Sequence, residues 1–456
     1  MAKGRPNDPA KNERGTQNEI SHLQKFLTDY SAVIGAFVGL YLLGNLFAPL
    51  SWLVGLGIMA YWAAKGKDDY LVIMLILILV MGDSRAYYFS HVKNLRIVAI
   101  LVIGIRTFAE ISHGKYRFRA VFLWCIPFFI VALIGGLRSP SLGTSISKMI
   151  SYFLLIVVVL HYLPYHFQNH KHLLADVAIL GMWILLLGLL ARFVNPSLTS
   201  LLERFRGLLG NPNGLGIYAT LLFVICLICF ELYPESKRRW QLGMGLLLFS
   251  VILSGSRTAL GTIGIFYFLY WFHKRNPGSI VALWGFVIPV LIVFFSFLSP
   301  TDLIRMIGLG EFLRVESIET GTGRFLAWTL GWNQILQNPF IGKGFAYEEI
   351  YFHSLADVLV ATEHQGGMHN SWLTFMMNNG LIGFCFFLIF LINLLTRMKS
   401  RAFALPFTLA ALVSATFESW LNSSLNAFSI HFFLVVVILI DWPQYLEIRD
   451  KRLAAA

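Results

Sequence analysis

A chain of 456 residues that is 57% hydrophobic and only 13% charged is excluded from the ordinary soluble class, where about 25% of residues carry charge. Its net charge of +12 does not point to nucleic acid, because the Lys and Arg residues fall in short clusters between apolar blocks and form no single basic surface. The four cysteines all lie inside apolar blocks, so neither a disulfide framework nor a zinc site is supported, and Cys226 and Cys229 read as inert buried thiols.

Residues 1–30 are polar, carry Lys3, Arg5, Lys11, Arg14 and Lys25, and are too long and too polar for a cleaved secretory signal. They read as a cytoplasmic tail. Hydropathy then predicts spans at 31–48, 50–64, 70–83, 95–110, 120–137, 149–164, 173–193, 213–232, 240–254, 257–272 and 279–298, and again at 371–395, 403–418 and 426–441. Fourteen is an upper count; two weak segments read as re-entrant would leave twelve. The expected fold is therefore an all-α polytopic membrane protein of about 12–14 transmembrane helices. It divides into the tail, a bundle over 31–298, a long outer loop over 299–370, C-terminal spans over 371–441 and a cytoplasmic tail over 442–456. With the N-terminus inside, 22 of the 36 basic residues fall in inner loops and tails, which is the bias that sets membrane orientation. A cytoplasmic membrane with both termini inside is the expected location, and the loop 299–370 would face the periplasm. A connection of that length inside a compact chain is commonly functional.

The polar oddities gather on the outer side. Arg204-Phe205-Arg206-Gly207 leads through Asn211-Pro212-Asn213-Gly214 into a span. It reads either as an anion site at a helix N-terminus or as an interfacial loop with snorkelling arginines and an Asn-Pro turn. Ser254-Gly255-Ser256-Arg257-Thr258 separates two apolar stretches with no room for a real loop, so Arg257 stands close to the membrane. It either ties down the hairpin through carbonyls or clamps a lipid phosphate, which a guanidinium matches bidentately. Arg324, after Gly321-Thr322-Gly323, opens an amphipathic helix that includes Trp328 and Trp332. The helix dipole disfavours a cation there, so an anionic partner is expected. His369, in Gly366-Gly367-Met368-His369-Asn370-Ser371-Trp372, lies at the water boundary and is either a base or the cap of the next helix. His353 and His364 have nothing polar patterned around them.

Taken in order, Ser254 to Thr258, Gly323-Arg324 to Trp328, Pro339 to Gly344, and His369 to Leu373 with Gly380-Leu381-Ile382-Gly383 resemble the bacterial O-antigen ligase and polysaccharide polymerase superfamily. The resemblance covers the second half of the chain; the first half agrees only in its run of helices. It implies a GT-C-like membrane glycosyltransferase, independent of metal or other cofactor. Such an enzyme moves a glycan from an undecaprenyl-diphosphate carrier to an acceptor hydroxyl, on lipid A core or on another glycan, at the periplasmic face. Carried over, Arg257 and Arg324 bind the diphosphate and His369 activates the acceptor; Arg206 joins them through a similar loop that has no distinctive motif. Single displacement would invert the anomeric centre. The compact motif set and the one late outer loop lean toward ligase over polymerase. A lipid-linked glycan transporter is the competing reading, with Arg106 as its deep ionisable candidate.

Overall fold

Lipid offers the backbone no hydrogen-bond partners, so an apolar chain satisfies its amides within helices. The computed structural model describes residues 24–83, 89–116, 118–170, 172–201, 203–275, 324–355 and 367–454. These are helical apart from turns and one two-residue hairpin. The predicted span 279–298, residues 1–23 of the tail 1–30, and half of the loop 299–370, Gly321 to Gly323 and His364 included, lie outside the described residues.

In chain order the helices are α1 (Ser31–Leu46), α2 (Ala48–Ala64), α3 (Asp68–Met81), α4 (Val92–Ser112) and α5 (Ile126–Gly136). Next come α6 (Leu142–Val157), continued by a π turn into α7 (Leu163–Asn169), and α8 (Leu173–Val194). The short α9 (Pro196–Thr199) leads into the hairpin β1 (Ser200–Leu201) and β2 (Arg204–Phe205), antiparallel with Leu201 opposite Arg204. Then follow α10 (Pro212–Leu232), α11 (Lys237–Ser254), α12 (Arg257–Arg275), α13 (Arg324–Gln337), α14 (Tyr347–Ser354), α15 (Ser371–Leu395), α16 (Arg401–Phe417), α17 (Ala427–Ile440) and α18 (Trp442–Ala454).

Helices that are apolar on every side take the middle, as they must. Leu71 to Met81 of α3 has no polar face and is wholly buried, as are Ala427 to Leu439 of α17 and nearly all of α10. Four described helices are long and apolar enough to cross a membrane: Leu142–Asn169, Leu173–Val194, Pro212–Leu232 and Ser371–Leu395. A fifth results if α17 and α18, bent by 73°, form one broken span. The protein is thus a multi-pass helical membrane protein, with fewer full-length spans among the described residues than the predicted twelve to fourteen. Two physical reasons apply: α1, α2 and α16 are apolar but fall short, whereas α4, α11 and α12 are long enough but too polar or charged. The predicted span 149–164 extends to Leu142–Asn169, about two turns longer at its start and more than one at its end, whereas 31–48 and 50–64 form a hairpin broken at Phe47.

The basic clusters collect at one end of the bundle. There Arg119 pairs with Asp441, Lys274 with Glu231, and Arg452 with Glu235. Arg106 also sits in an ion network: its guanidinium holds Asp68 and lies 3.0 Å from Glu110, which accepts from Tyr116 Oη at 2.6 Å. A paired arginine of this kind is explained by structure and needs no transported ligand.

Candidate active site

At the other end, the chain's turns bring distant motifs together on one carboxylate. Glu418 follows the last residue of α16 and is only 5% exposed. Its Oε1 accepts from Arg324 at 2.8 Å and from Asn213 Nδ2 at 3.0 Å, while Oε2 lies 3.0 Å from His369 Nδ1. Asn213 in turn accepts from Arg204 at 2.8 Å, and Arg204 Nε donates to the Ser254 carbonyl at 2.8 Å. A continuous polar chain therefore links β2, the start of α10, the end of α11, the start of α13 and the residue before the α15 cap.

Local sequence explains each placement. Asn211 caps α10 through Gly214 N–H at 2.6 Å, with Pro212 as the first helical residue, a position where the missing N–H costs nothing. The Asn-Pro segment is therefore a helix start, and it presents Asn213 on the first turn. Gly255 ends α11 in the left-handed conformation that glycine adopts without penalty. Arg257 then opens α12 two residues beyond Gly255. Close approach of α10 to this turn needs Gly216, whose absent Cβ would meet Ser256.

His369 has φ +47°, an unusual backbone for a residue with a side chain, costing about 1–2 kcal/mol. Neighbouring bonds hold it there. Met368 N–H donates to Glu348 at 2.6 Å, Trp328 Nε1 donates to the Met368 carbonyl at 2.9 Å, and Asn370 N–H donates to Ser419 Oγ at 2.9 Å. Asn370 is the α15 cap, accepting from Trp372 and Leu373 N–H at 3.0 Å each. The capping role belongs to Asn370, which leaves the imidazole for Glu418. With Nδ1–H assigned to the carboxylate, Nε2 is the ring's lone-pair nitrogen.

Arg324 begins α13, and the anionic partner expected at that cation-disfavouring end is present within the chain as Glu418. Arg206 has a different setting: it is 9% exposed and donates to the carbonyls of Leu198 at 3.1 Å and Gly210 at 3.4 Å, binding its own loop together. Arg204, two residues earlier, is the one that reaches the Glu418 chain. Arg204 and Arg324 thus converge on the Glu418 chain, Arg257 opens the helix at the neighbouring turn, and a second carboxylate, Asp83, accepts from Gly210 N–H at 3.1 Å nearby.

The motif Pro339 to Gly344 with Gly380 to Gly383 is an interlock. α15 breaks at Gly380, φ +65° and ψ −179°. The earlier segment fills the break: Leu381 N–H donates to the Pro339 carbonyl at 2.7 Å, Ile382 N–H to that of Phe340 at 3.1 Å, and Gly344 N–H to that of Asn378 at 2.9 Å. Gly342, φ +74°, has no space for a Cβ beside the Asn378 carbonyl.

Glu348 stands behind this assembly. Burial pushes its carboxyl up to about 7, against the lowering effect of the Met368 N–H. A raised acid is favoured in its protonated form, so the stability it confers is complete below the ordinary 4.5 and is lost as pH climbs through about 7. Glu348→Gln keeps an acceptor for Met368 and removes the titration. Thermal unfolding should show variant and wild type alike at pH 4.5 and the variant more stable at pH 8.5; equal curves at both pH values would disprove this.

Sequence reasoning missed Glu418, and within the segment Arg204 to Gly214 it singled out Arg206 where Arg204 and Asn213 make the contacts. A signal existed for Glu418: between Glu363 and Asp441 it is the chain's only carboxylate, and it ends an apolar span. Among the described residues, no group of three or more His, Cys, Asp or Glu is gathered as a metal site.

The fold and this cluster define a multi-pass helical membrane protein with arginines, a histidine and its carboxylate gathered at one end of the bundle. Residues 242–388 match the family described as O-antigen ligase, so the resemblance to the O-antigen ligase and polymerase superfamily holds over that stretch. The match takes in Arg257, Arg324, His369 and the interlock, and stops before Glu418. No curated protein matches the chain.

Proposed function

We propose that the protein transfers a glycan from an undecaprenyl-diphosphate carrier to an acceptor sugar hydroxyl, as an O-antigen ligase in lipopolysaccharide assembly. The observation that carries this reading is the single carboxylate of Glu418 joining His369 to Arg324. Nε2 of His369 takes the proton of the acceptor hydroxyl as its oxygen attacks the anomeric carbon. The bond to the diphosphate breaks, and charge develops on the leaving oxygen. Arg324 and Arg257, with Arg204 or Arg206 from the β2 loop, neutralise that charge without a metal ion, because fixed guanidiniums need no reorganisation as it forms. One displacement inverts the anomeric centre. The basic end of the bundle faces the cytoplasm of a bacterial inner membrane and the site faces the periplasm, in accord with the positive-inside bias. The boundaries 31–298, 299–370 and 371–441 divide the chain into a bundle, a periplasmic loop and closing spans, with cytoplasmic tails at 1–30 and 442–456.

Arg257→Lys and Arg324→Lys are each expected to lower transfer about ten- to a hundredfold, since an ammonium cannot reproduce a bidentate fork. Unchanged rates in either variant would remove that residue from the site. Purified protein given carrier-linked donor and lipid A core acceptor should form a ligated product. A product formed only when the acceptor is itself carrier-linked would identify a polymerase with the same chemistry. No product with either acceptor would count for transport.

A further inference from the structure

One face of α13 is packed and the opposite one is not. Ala327, Gly331 and Ile335 are buried in a small second core with Met368 and Met377. On the other side Trp332 and Leu336, followed by Phe340 just past the helix end, are 48%, 60% and 64% exposed. Spacing of four residues puts Trp332 and Leu336 on one helix face, and Phe340 follows in the turn beyond it. A loop helix bathed in water would carry polar residues there.

The row ends against a membrane span. Phe340 and Pro339 are the residues whose carbonyls complete α15 at Leu381 and Ile382. These two side chains are 48% and 42% exposed on a helix long and apolar enough to cross a bilayer. The exposed apolar face of α13 thus leads through the Pro339–Phe340 turn to the exposed apolar flank of α15, with exposed Asn333 and Gln337 beside it.

We propose that α13 is an interfacial helix, its Trp332-Leu336-Phe340 row seated on the acyl chains of the leaflet at the site's end of the bundle. Tryptophan is the residue that favours the membrane–water boundary, and an amphipathic helix lies in that plane with its apolar face down. The partner is lipid, as the continuity with α15 indicates. Because Arg324 is the first residue of the same helix, seating fixes its guanidinium at the depth of lipid phosphates. That consequence rests on the proposed donor; the seating itself does not.

The test is a nitroxide label on Leu336→Cys in a Cys385→Ser background, since Cys125, Cys226 and Cys229 are buried. The protein is placed in phosphatidylethanolamine–phosphatidylglycerol nanodiscs. Oxygen should relax the label several-fold more effectively than a water-soluble nickel chelate, as at Leu381→Cys and unlike Asp450→Cys in the exposed C-terminal helix. Chelate access equal to that at Asp450→Cys would overturn the proposal, and so would dipolar broadening between labels, which would mean that a second copy covers the row. Trp332→Cys, labelled alike, provides the reading if Leu336→Cys fails to fold. Accessibility is measured without any transfer reaction, so its failure and failure of the proposed chemistry are separate results.

Discussion

Glu418→Gln is expected to lower glycan transfer by about 10²- to 10⁴-fold, the range that general acid–base groups contribute. An amide keeps the size of the side chain but loses the charge that orients His369, stabilises it when protonated and balances Arg324. A histidine held in the wrong tautomer by an amide loses most of its catalytic value. His369→Asn should fall as far, and it separates chemistry from folding better than His369→Ala, because asparagine tolerates the left-handed backbone found there. If the two residues act as one unit, Glu418→Gln with His369→Asn will be little worse than either alone. A Glu418→Gln enzyme with near-normal rate and normal protein level would reduce Glu418 to a structural tie. Multiplying losses in the double variant would deny the unit.

Gly380→Ala is expected to abolish folded protein. The backbone at Gly380 lies in a region open essentially to glycine alone, worth about 1–3 kcal/mol. A Cβ there would collide with the backbone of Phe340 and Ile341, and overpacking costs about 1–3 kcal/mol more. Backbone cannot yield as a flexible side chain can. Size-exclusion profile and thermal midpoint in detergent report the effect; a variant with a wild-type midpoint would show that the interlock does not bear on stability.

Sequence shows some of this and conceals the rest for physical reasons. Runs such as Leu71 to Met81 announce a buried helix because they lack any polar face. The helix starts at Arg257 and Arg324 were legible from the change in composition. The role of Pro339 to Gly344 was not: a glycine pattern records permissive backbone but says nothing of which strand of chain fills the break. Nor was the meeting of His369, Arg324 and Asn213 on Glu418, because those pairs are separated by 49, 94 and 205 residues. Hydropathy reads neighbours along the chain, and the site is made of neighbours in space. Arg204 and Arg206 illustrate the finer limit: two identical side chains in one loop, of which one ties its own carbonyls and the other reaches across.

The break in α15 also bears on how the protein is made. Leu381 and Ile382 find their backbone acceptors in Pro339 and Phe340, which are synthesised earlier. In hydrocarbon an unmatched amide costs several kcal/mol, so the C-terminal half of this helix cannot rest in the bilayer as an independent unit. It must be received by a segment already waiting at the membrane. Insertion of that helix is consequently coupled to its docking on Pro339 and Phe340, and His369, already in place at its start, gains its carboxylate only when the later Glu418 arrives.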